Sequence, residues 1–288
     1  MSNVKVVQNI LITGAGGQLG SEFRYLAEKP PKPVFKFIFV TRKELDIQNS
    51  QKITDFCSEN KIDVIINCAA YTAVDKAELE PKQADAINHL AVKKLAQIAK
   101  DQNIKFIHIS TDYVFDGTNH KPYKESDKTN PQSVYGKTKL DGELAMQAIN
   151  PANSLIIRTS WVYSEFGNNF VKTMLRLGQE GGELSVVCDQ VGTPTNARDL
   201  AKAILQIIPQ LNNSSVEIYH YSNAGVCSWY DFASAIFEIY NISCSVNPIS
   251  SEAYRTSAQR PYYTVMDKSK IMERFGLSYE HWRESLCS

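Results

Sequence analysis

Short apolar runs alternate with amphipathic stretches through the first half of the chain. Asn9 to Ile12, Val34 to Val40, Asp63 to Asn67, Lys105 to Ser110 and Ser154 to Ile157 are each too short for a stable helix. They are rich in Ile, Val and Phe, and each predicts a strand. Between them, Leu19 to Glu28, Ser50 to Glu59, a stretch from near Pro81 to about Asp101, and Tyr135 to Ile149 read as helices, the second with Ser50 in N-cap position. The Pro30, Pro31, Lys32, Pro33 stretch stops the first helix. Strands that are apolar almost throughout are buried on both faces. The alternation therefore predicts an α/β fold with a doubly wound parallel sheet. From about Arg158 the pattern loosens into loops, helices and short strands, which predicts a smaller C-terminal α/β lobe. The division expected is 1–157 for the sheet domain and 158–288 mainly for the second lobe, with a segment near 196–225 returning to the first. The charge-rich stretch from Asp267 to Glu284 reads as a surface helix and a terminal segment.

An open parallel sheet places ligands beyond the carboxyl ends of its strands, so the residues just past each strand are the ones to inspect. The first strand runs into Thr13 to Gly20 (TGAGGQLG). Gly14, Gly17 and Gly20 fall three apart, with Gly16 as a further glycine in the turn. Glycine suits a turn with positive φ and lets backbone N–H groups approach phosphate oxygens. The last one lets the helix pack closely on its strand. The spacing is one residue longer than G-x-G-x-x-G, and glycines after a strand also make plain tight turns. The second strand ends in Thr41-Arg42-Lys43. An acidic residue there would accept hydrogen bonds from adenosine ribose hydroxyls, whereas Arg42 suits a 2′-phosphate. This favours NADPH ahead of NADH, although exposed basic residues at strand ends are common.

Tyr135 and Lys139 lie four apart at the start of a helix and share one face. A lysine ammonium one turn away favours a phenolate and lowers the tyrosine pKa, so such a pair can protonate a carbonyl oxygen as hydride reaches its carbon. Tyr-x-x-x-Lys alone arises often by chance. Its value here comes from its place after a fourth strand and downstream of a glycine loop. The Ser110 and Thr111 hydroxyls, ending that strand, could bond the same oxygen.

Composition narrows the classes without choosing among them. With 288 residues, 43% of them hydrophobic, the chain has enough apolar material for one large or two modest cores. Lys plus Arg and Asp plus Glu are both 31, and this balance argues against non-specific nucleic-acid binding. Six cysteines without a C-x-x-C pair read as reduced and mostly structural. No apolar run approaches the ~18 residues of a membrane span, and no signal pattern opens the chain, so a cytoplasmic protein is expected.

These residues carry a resemblance. The chain resembles the extended short-chain dehydrogenase/reductases and, within them, the dTDP-4-dehydrorhamnose reductases, essentially end to end. The most specific stretches are Asn67 to Glu78 (NCAAYTAVDKAE), Ser110 to Gly117 (STDYVFDG) and Val134 to Lys139 (VYGKTK). Arg158 to Tyr163 (RTSWVY), Gly167 to Phe170 (GNNF), Asp189-Gln190 with Gly192 to Thr195 (GTPT), and Arg260-Pro261 follow. The resemblance implies a Rossmann-like fold and a catalytic set of Thr111, Tyr135 and Lys139. In that set Tyr135 is the general acid, Thr111 polarises the ketone and Lys139 holds the nicotinamide ribose while tuning the tyrosine. It implies cofactor contacts from Gly14, Gly16, Gly17, Gln18, Leu19 and Gly20, from Arg42, from Asp46 and Ile47 about the adenine, and from Ala69, Ala70 and Tyr71. Val74, Thr111, Tyr113, Trp161, Asn169, Gln190 and Arg260 match positions lining a sugar-nucleotide pocket. The indole of Trp161 suits a sugar face, and Arg260 suits a diphosphate.

The implied reaction is reduction of dTDP-4-dehydro-6-deoxy-L-mannose at C4 by NADPH, giving dTDP-L-rhamnose. Two alternatives stand beside it. One is reduction of another nucleotide-linked 4-keto-6-deoxy sugar, for instance to a 6-deoxy-talose. The other is a non-enzymatic subunit like those of this fold that regulate methionine adenosyltransferase. Some relatives dimerise through carboxylates that bridge a metal. Here Glu22 stands at a matching position but Arg198 falls where another carboxylate is expected. No required metal is expected, and a monomer or a homodimer.

Overall fold

Six parallel strands form the main sheet: β1 (Gln8–Thr13), β2 (Phe35–Val40), β3 (Val64–Asn67), β4 (Lys105–Thr111), β5 (Leu155–Thr159) and β6 (Glu217–His220). Their order is β2-β1-β3-β4-β5-β6. The structure is a computed structural model that describes residues 7–29 and 35–287. The proline-rich stretch from Pro30 to Pro33, and Val34 at the expected start of the second strand, lie outside the described residues. The helices used below are α1 (Gln18–Glu28), α2 (Ser50–Glu59), α3 (Val74–Leu79), α4 (Pro81–Asp85), α5 (Ala91–Asp101), α6 (Val134–Ile149), α7 (Phe170–Glu180), α8 (Ala197–Ile207), α9 (Trp229–Ile239) and α10 (Ser269–Phe275).

Side-chain alternation along the strands explains the two helical layers. Ile10, Ile12, Ile66, Ile107 and Ile157 face one way, into a core shared with Phe23 of α1 and Leu200 and Ile204 of α8. Leu11, Ile65, Phe106 and Ile156 face the other way, against Ile53 of α2, Leu95 of α5 and Met146 of α6. Both faces are dry, as continuous apolar strands require. The expected doubly wound parallel sheet is therefore present. The smaller lobe has its own core, in which Val171 and Met174 of α7 meet Phe232, Ile236 and Phe237 of α9. Short strand pairs join it, such as Glu183–Val187 with Ser245–Ile249. Between these elements the chain returns to the main sheet through α8 and β6.

Two local expectations need correction. The N-cap of α2 is Asn49, whose side chain accepts from the Lys52 N–H at 3.1 Å, so Ser50 is already helical. The single helix expected from Pro81 to Asp101 is interrupted by a π turn at Ala86–Leu90 and is preceded by α3. Asn88 in that turn is fully buried; it accepts from Tyr71 N at 2.8 Å and donates to Thr138 Oγ1 at 3.2 Å. These bonds reward the wider turn, which hydrophobic spacing cannot register. The expected surface helix is α10, with Ser269, Lys270, Glu273 and Arg274 exposed, and its inner face, Ile271 and Phe275 one turn apart, packs into the core.

Candidate active site

The chain runs from β1 to β2 on one side and then crosses back to β3 on the other, so strand order reverses between β1 and β3. A crevice opens at such a switch point. It holds a cavity of about 380 Å³ lined by Gly14, Gly16, Gly17, Arg42, Asp46, Ile47, Ala69 and Ala70, among others. Gly14 has φ +66°, and a Cβ there would stand 2.6 Å from Ala69 N, so neither conformation nor space admits another residue. No side chain caps the start of α1, which leaves its first N–H groups directed at the crevice. Arg42 is exposed at the cavity's edge.

A second cavity, of about 540 Å³, shares Gly17, Cys68 and Ala70 with the first. Gln18, Leu19, Val74, Thr111, Tyr113, Tyr135, Lys139, Trp161 and Asn169 line it. The start of α6 sets Tyr135 in place. Ser133 caps the helix by accepting from Gly136 N at 3.1 Å, and Glu78 accepts from Val134 N at 2.8 Å. Gly136 lets the helix close on the turn after β4, since a Cβ there would lie 2.3 Å from the Tyr113 carbonyl. The Tyr113 and Tyr135 rings meet edge to face at 5.5 Å.

Electrostatics at this cavity depart from the sequence argument in two ways. Burial pushes the Tyr135 phenol up to about 12; neighbouring Thr111 opposes the rise and Asp112 adds to it. Lys139 does not offset this. Its Nζ donates to the Ile109 carbonyl and lies 3.4 Å from His108 Nε2, so the shared helix face does not deliver the expected ammonium–phenol contact. Burial also lowers Lys139 itself to about 8, against the pull of Glu143 and Cys68. The Ser110 hydroxyl, expected to reach a carbonyl oxygen, donates instead to the buried Glu143. Asp112, at the cavity wall, is pushed up to about 6 by burial.

Other residues singled out in the sequence stand apart from the cavity walls. Gly20 packs under the loop, where a Cβ would be 2.6 Å from Ala15 Cα. The Tyr71 hydroxyl donates to Glu80 at 2.7 Å. Gln190 Nε2 donates to Ser251 Oγ at 2.9 Å. Arg260 forms an ion pair with Asp75, 2.6 Å, beside the cavity-lining Val74. Trp161 does line the cavity, but its indole is stacked on Trp229 at 3.6 Å and 10°. Gly192 packs against it as well, since a Cβ there would come 2.9 Å from Cε2. One indole face is thus covered by Trp229, and the half-buried ring still borders the cavity. Glu22 is buried and paired with Arg198 at 2.9 Å, so a guanidinium occupies the carboxylate's coordination side.

Several neighbours of the site escaped the sequence reading. Trp229, from the second lobe, lines the cavity and had no motif to mark it. Glu78 lay inside a quoted stretch, yet its capping of α6 joins residues 56 positions apart. His108 and Asn67 read as ordinary strand residues, although both are buried and polar.

Comparison with known proteins adds the following. The family described as RmlD substrate binding domain matches residues 8–288. The dTDP-4-dehydrorhamnose reductase of Aggregatibacter actinomycetemcomitans is 41% identical, covering 96% of each chain. The spore coat polysaccharide biosynthesis protein SpsK of Bacillus subtilis is 39% identical, over 96% of this chain and 95% of its own. A crystal structure of dTDP-4-dehydrorhamnose reductase from Bacillus anthracis in complex with NADP superposes with a TM-score of 0.91, at 38% identity and 98% coverage of both chains.

Proposed function

The chain belongs to the RmlD substrate binding domain family, and from that membership we propose that it is an NADPH-dependent reductase. Its substrate in this reading is dTDP-4-dehydro-6-deoxy-L-mannose, its product dTDP-L-rhamnose, and Tyr135 is the general acid. The observation that carries the reading is the adjacency of the two cavities across Gly17, Cys68 and Ala70, one built on the glycine turn and one holding Thr111, Tyr135 and Lys139 together. The glycine turn beside the uncapped start of α1, whose first N–H groups have no side-chain partner, fits the diphosphate of a dinucleotide.

When bound, a reduced nicotinamide supplies the hydride that the ketone carbon accepts. The chain's residues do the rest. The backbone N–H groups at the start of α1 hold the pyrophosphate, with Ile47 and Asp46 beside the base. Tyr135 keeps its proton at Oη, because burial favours the neutral phenol, and gives it to the ketone oxygen. Thr111 orients that oxygen, and Lys139 and Ala70 border the ribose. Tyr113, Val74 and Asn169, which line the second cavity, flank the sugar nucleotide. Arg260, paired with Asp75 beside Val74, and Gln190, bonded to Ser251, would have to exchange those partners to reach it. Within this reading residues 1–157, with the returning segment near 196–225, form the dinucleotide half. The remainder of 158–288 forms most of the sugar half.

The 39% identity to SpsK favours one second reading, reduction of a different nucleotide-linked keto sugar. The deciding experiment incubates the protein with NADPH and freshly made dTDP-4-dehydro-6-deoxy-L-mannose, follows loss of NADPH absorbance and identifies the sugar by chromatography. dTDP-L-rhamnose is the expected product. The talose epimer would keep the chemistry and change the specificity. No oxidation by protein that still binds NADPH would defeat the reading.

Arg42 carries the cofactor choice in this scheme. Arg42→Ala is expected to reduce the NADPH-to-NADH ratio of kcat/KM about tenfold or more, as loss of one hydrogen bond to a charged group, about 1.5–3 kcal/mol, implies. An unchanged ratio would remove Arg42 as the 2′-phosphate ligand.

A further inference from the structure

Beneath the second cavity a file of buried side chains crosses three strands and ends at Lys139. The Thr13 hydroxyl donates to Asn67 Oδ1 at 2.7 Å, Asn67 Nδ2 faces His108 Nδ1 at 3.1 Å, and His108 Nε2 faces Lys139 Nζ at 3.4 Å. None of the four is more than 2% exposed. One bond gives the file a direction. The Ala69 N–H can only donate, and it donates to Asn67 Oδ1 at 3.2 Å. The carboxamide oxygen is therefore on that side, and its NH₂ is turned to His108. His108 Nδ1 must accept. Complete burial holds this imidazole well below its ordinary range, so the ring is neutral and has one proton. That proton is on Nε2, pointing at the lysine.

An ammonium at Nζ would meet this N–H donor to donor. A neutral amine can accept from it, give one N–H to the Ile109 carbonyl, and keep one for the cavity. We propose that His108, locked as its Nε2–H tautomer by Asn67, is a positioning residue that biases Lys139 toward the neutral amine and ties its charge to Ala69 in the dinucleotide cavity. The proposal rests on the reading of Lys139 as part of a reductase site. Taking up one proton at Nζ obliges the file to reverse. The imidazole hydrogen leaves Nε2, Nδ1 gains one, and Asn67 turns its carboxamide and gives up the Ala69 bond. Other ionisable groups near Lys139 are Cys68 after β3 and, on α6, Tyr135 and Glu143. Glu143 is already engaged by Arg158 and Ser110.

The test uses the full chain, labelled with ¹⁵N and ¹³C, without nucleotide or sugar. Long-range proton–nitrogen spectra of the His108 ring, assigned by its disappearance in His108→Phe, are expected to show a protonated Nε2 and a bare Nδ1. The Lys139 side-chain carbon signal, assigned in Lys139→Arg, is then followed against pH. In Asn67→Ala the imidazole is free to turn a lone pair to the ammonium, and the Lys139 midpoint should rise by about one pH unit or more. A purely structural role for Asn67 would lower stability and leave that midpoint in place. A protonated Nδ1 in the parent protein overturns the proposal, as does an unmoved midpoint in folded Asn67→Ala. If that variant does not fold, the parent tautomer still decides. Failure of the reductase assay would leave both readouts intact, so the two readings fail separately.

Discussion

Tyr135→Phe is expected to reduce turnover by about 10²–10⁴-fold, the usual contribution of a positioned general acid. Dinucleotide affinity should change by no more than about 0.5 kcal/mol, as for a substitution that disturbs no packing. The phenol is half-buried, and desolvation holds it up to about 12, so across the neutral range it carries its proton and serves as a donor. Replacement removes one hydroxyl and keeps the ring, including its edge-to-face contact with Tyr113. Steady-state kcat with the keto sugar, paired with NADPH titration of the same protein, separates the two effects. Loss of both turnover and binding would mean that the ring had moved, and the residue's role would then be structural. Turnover within tenfold of the parent would place the proton elsewhere. Asp112 is the group to examine next, because it lies on the same cavity wall and burial raises it to about 6.

The contrast between Tyr135 and Lys139 shows what a sequence can and cannot carry. Their spacing placed them on one face of α6 and in one cavity, because helical geometry is set by the backbone alone. Their mutual electrostatics did not follow, because the lysine tip can choose among partners that other strands supply. Ile109 and His108 captured it. The same holds for Ser110, whose hydroxyl turned to Glu143 across 33 positions. Strands were legible since burial on both faces leaves a continuous apolar run. The π turn was not, since its reward is the bonding of Asn88 to Tyr71 and Thr138. Trp161 was legible as a cavity residue, while its stacking on Trp229 depended on a lobe whose pattern predicts little.

The largest loss of stability from one substitution should come from Arg158→Leu, about 3–5 kcal/mol, as when one member of a buried ion pair is removed. The Arg158 guanidinium, on β5, meets Glu143 of α6 through bonds of 2.7, 3.0 and 3.2 Å, and the two side chains are 3% and 0% exposed. Without the arginine, Glu143 keeps the Ser110 hydroxyl and the field of Lys139 one turn away, with no direct ion pair for a charge out of reach of water. Arg158 also lies over the Phe115 ring at 5.1 Å, so its loss opens packing as well. Urea midpoints should therefore fall steeply for the single variant. Arg158→Leu combined with Glu143→Leu should recover part of the loss, because removing both charges costs far less than stranding one. Arg176–Glu180 provides the control: that pair is 63% and 60% exposed, and Arg176→Leu should shift stability by less than about 1 kcal/mol. A single-variant loss no larger than this control would mean that water reaches Glu143. The pair would then fasten α6 to the sheet only weakly, and the placement of Lys139, one turn before Glu143, would have to rest on β4 alone.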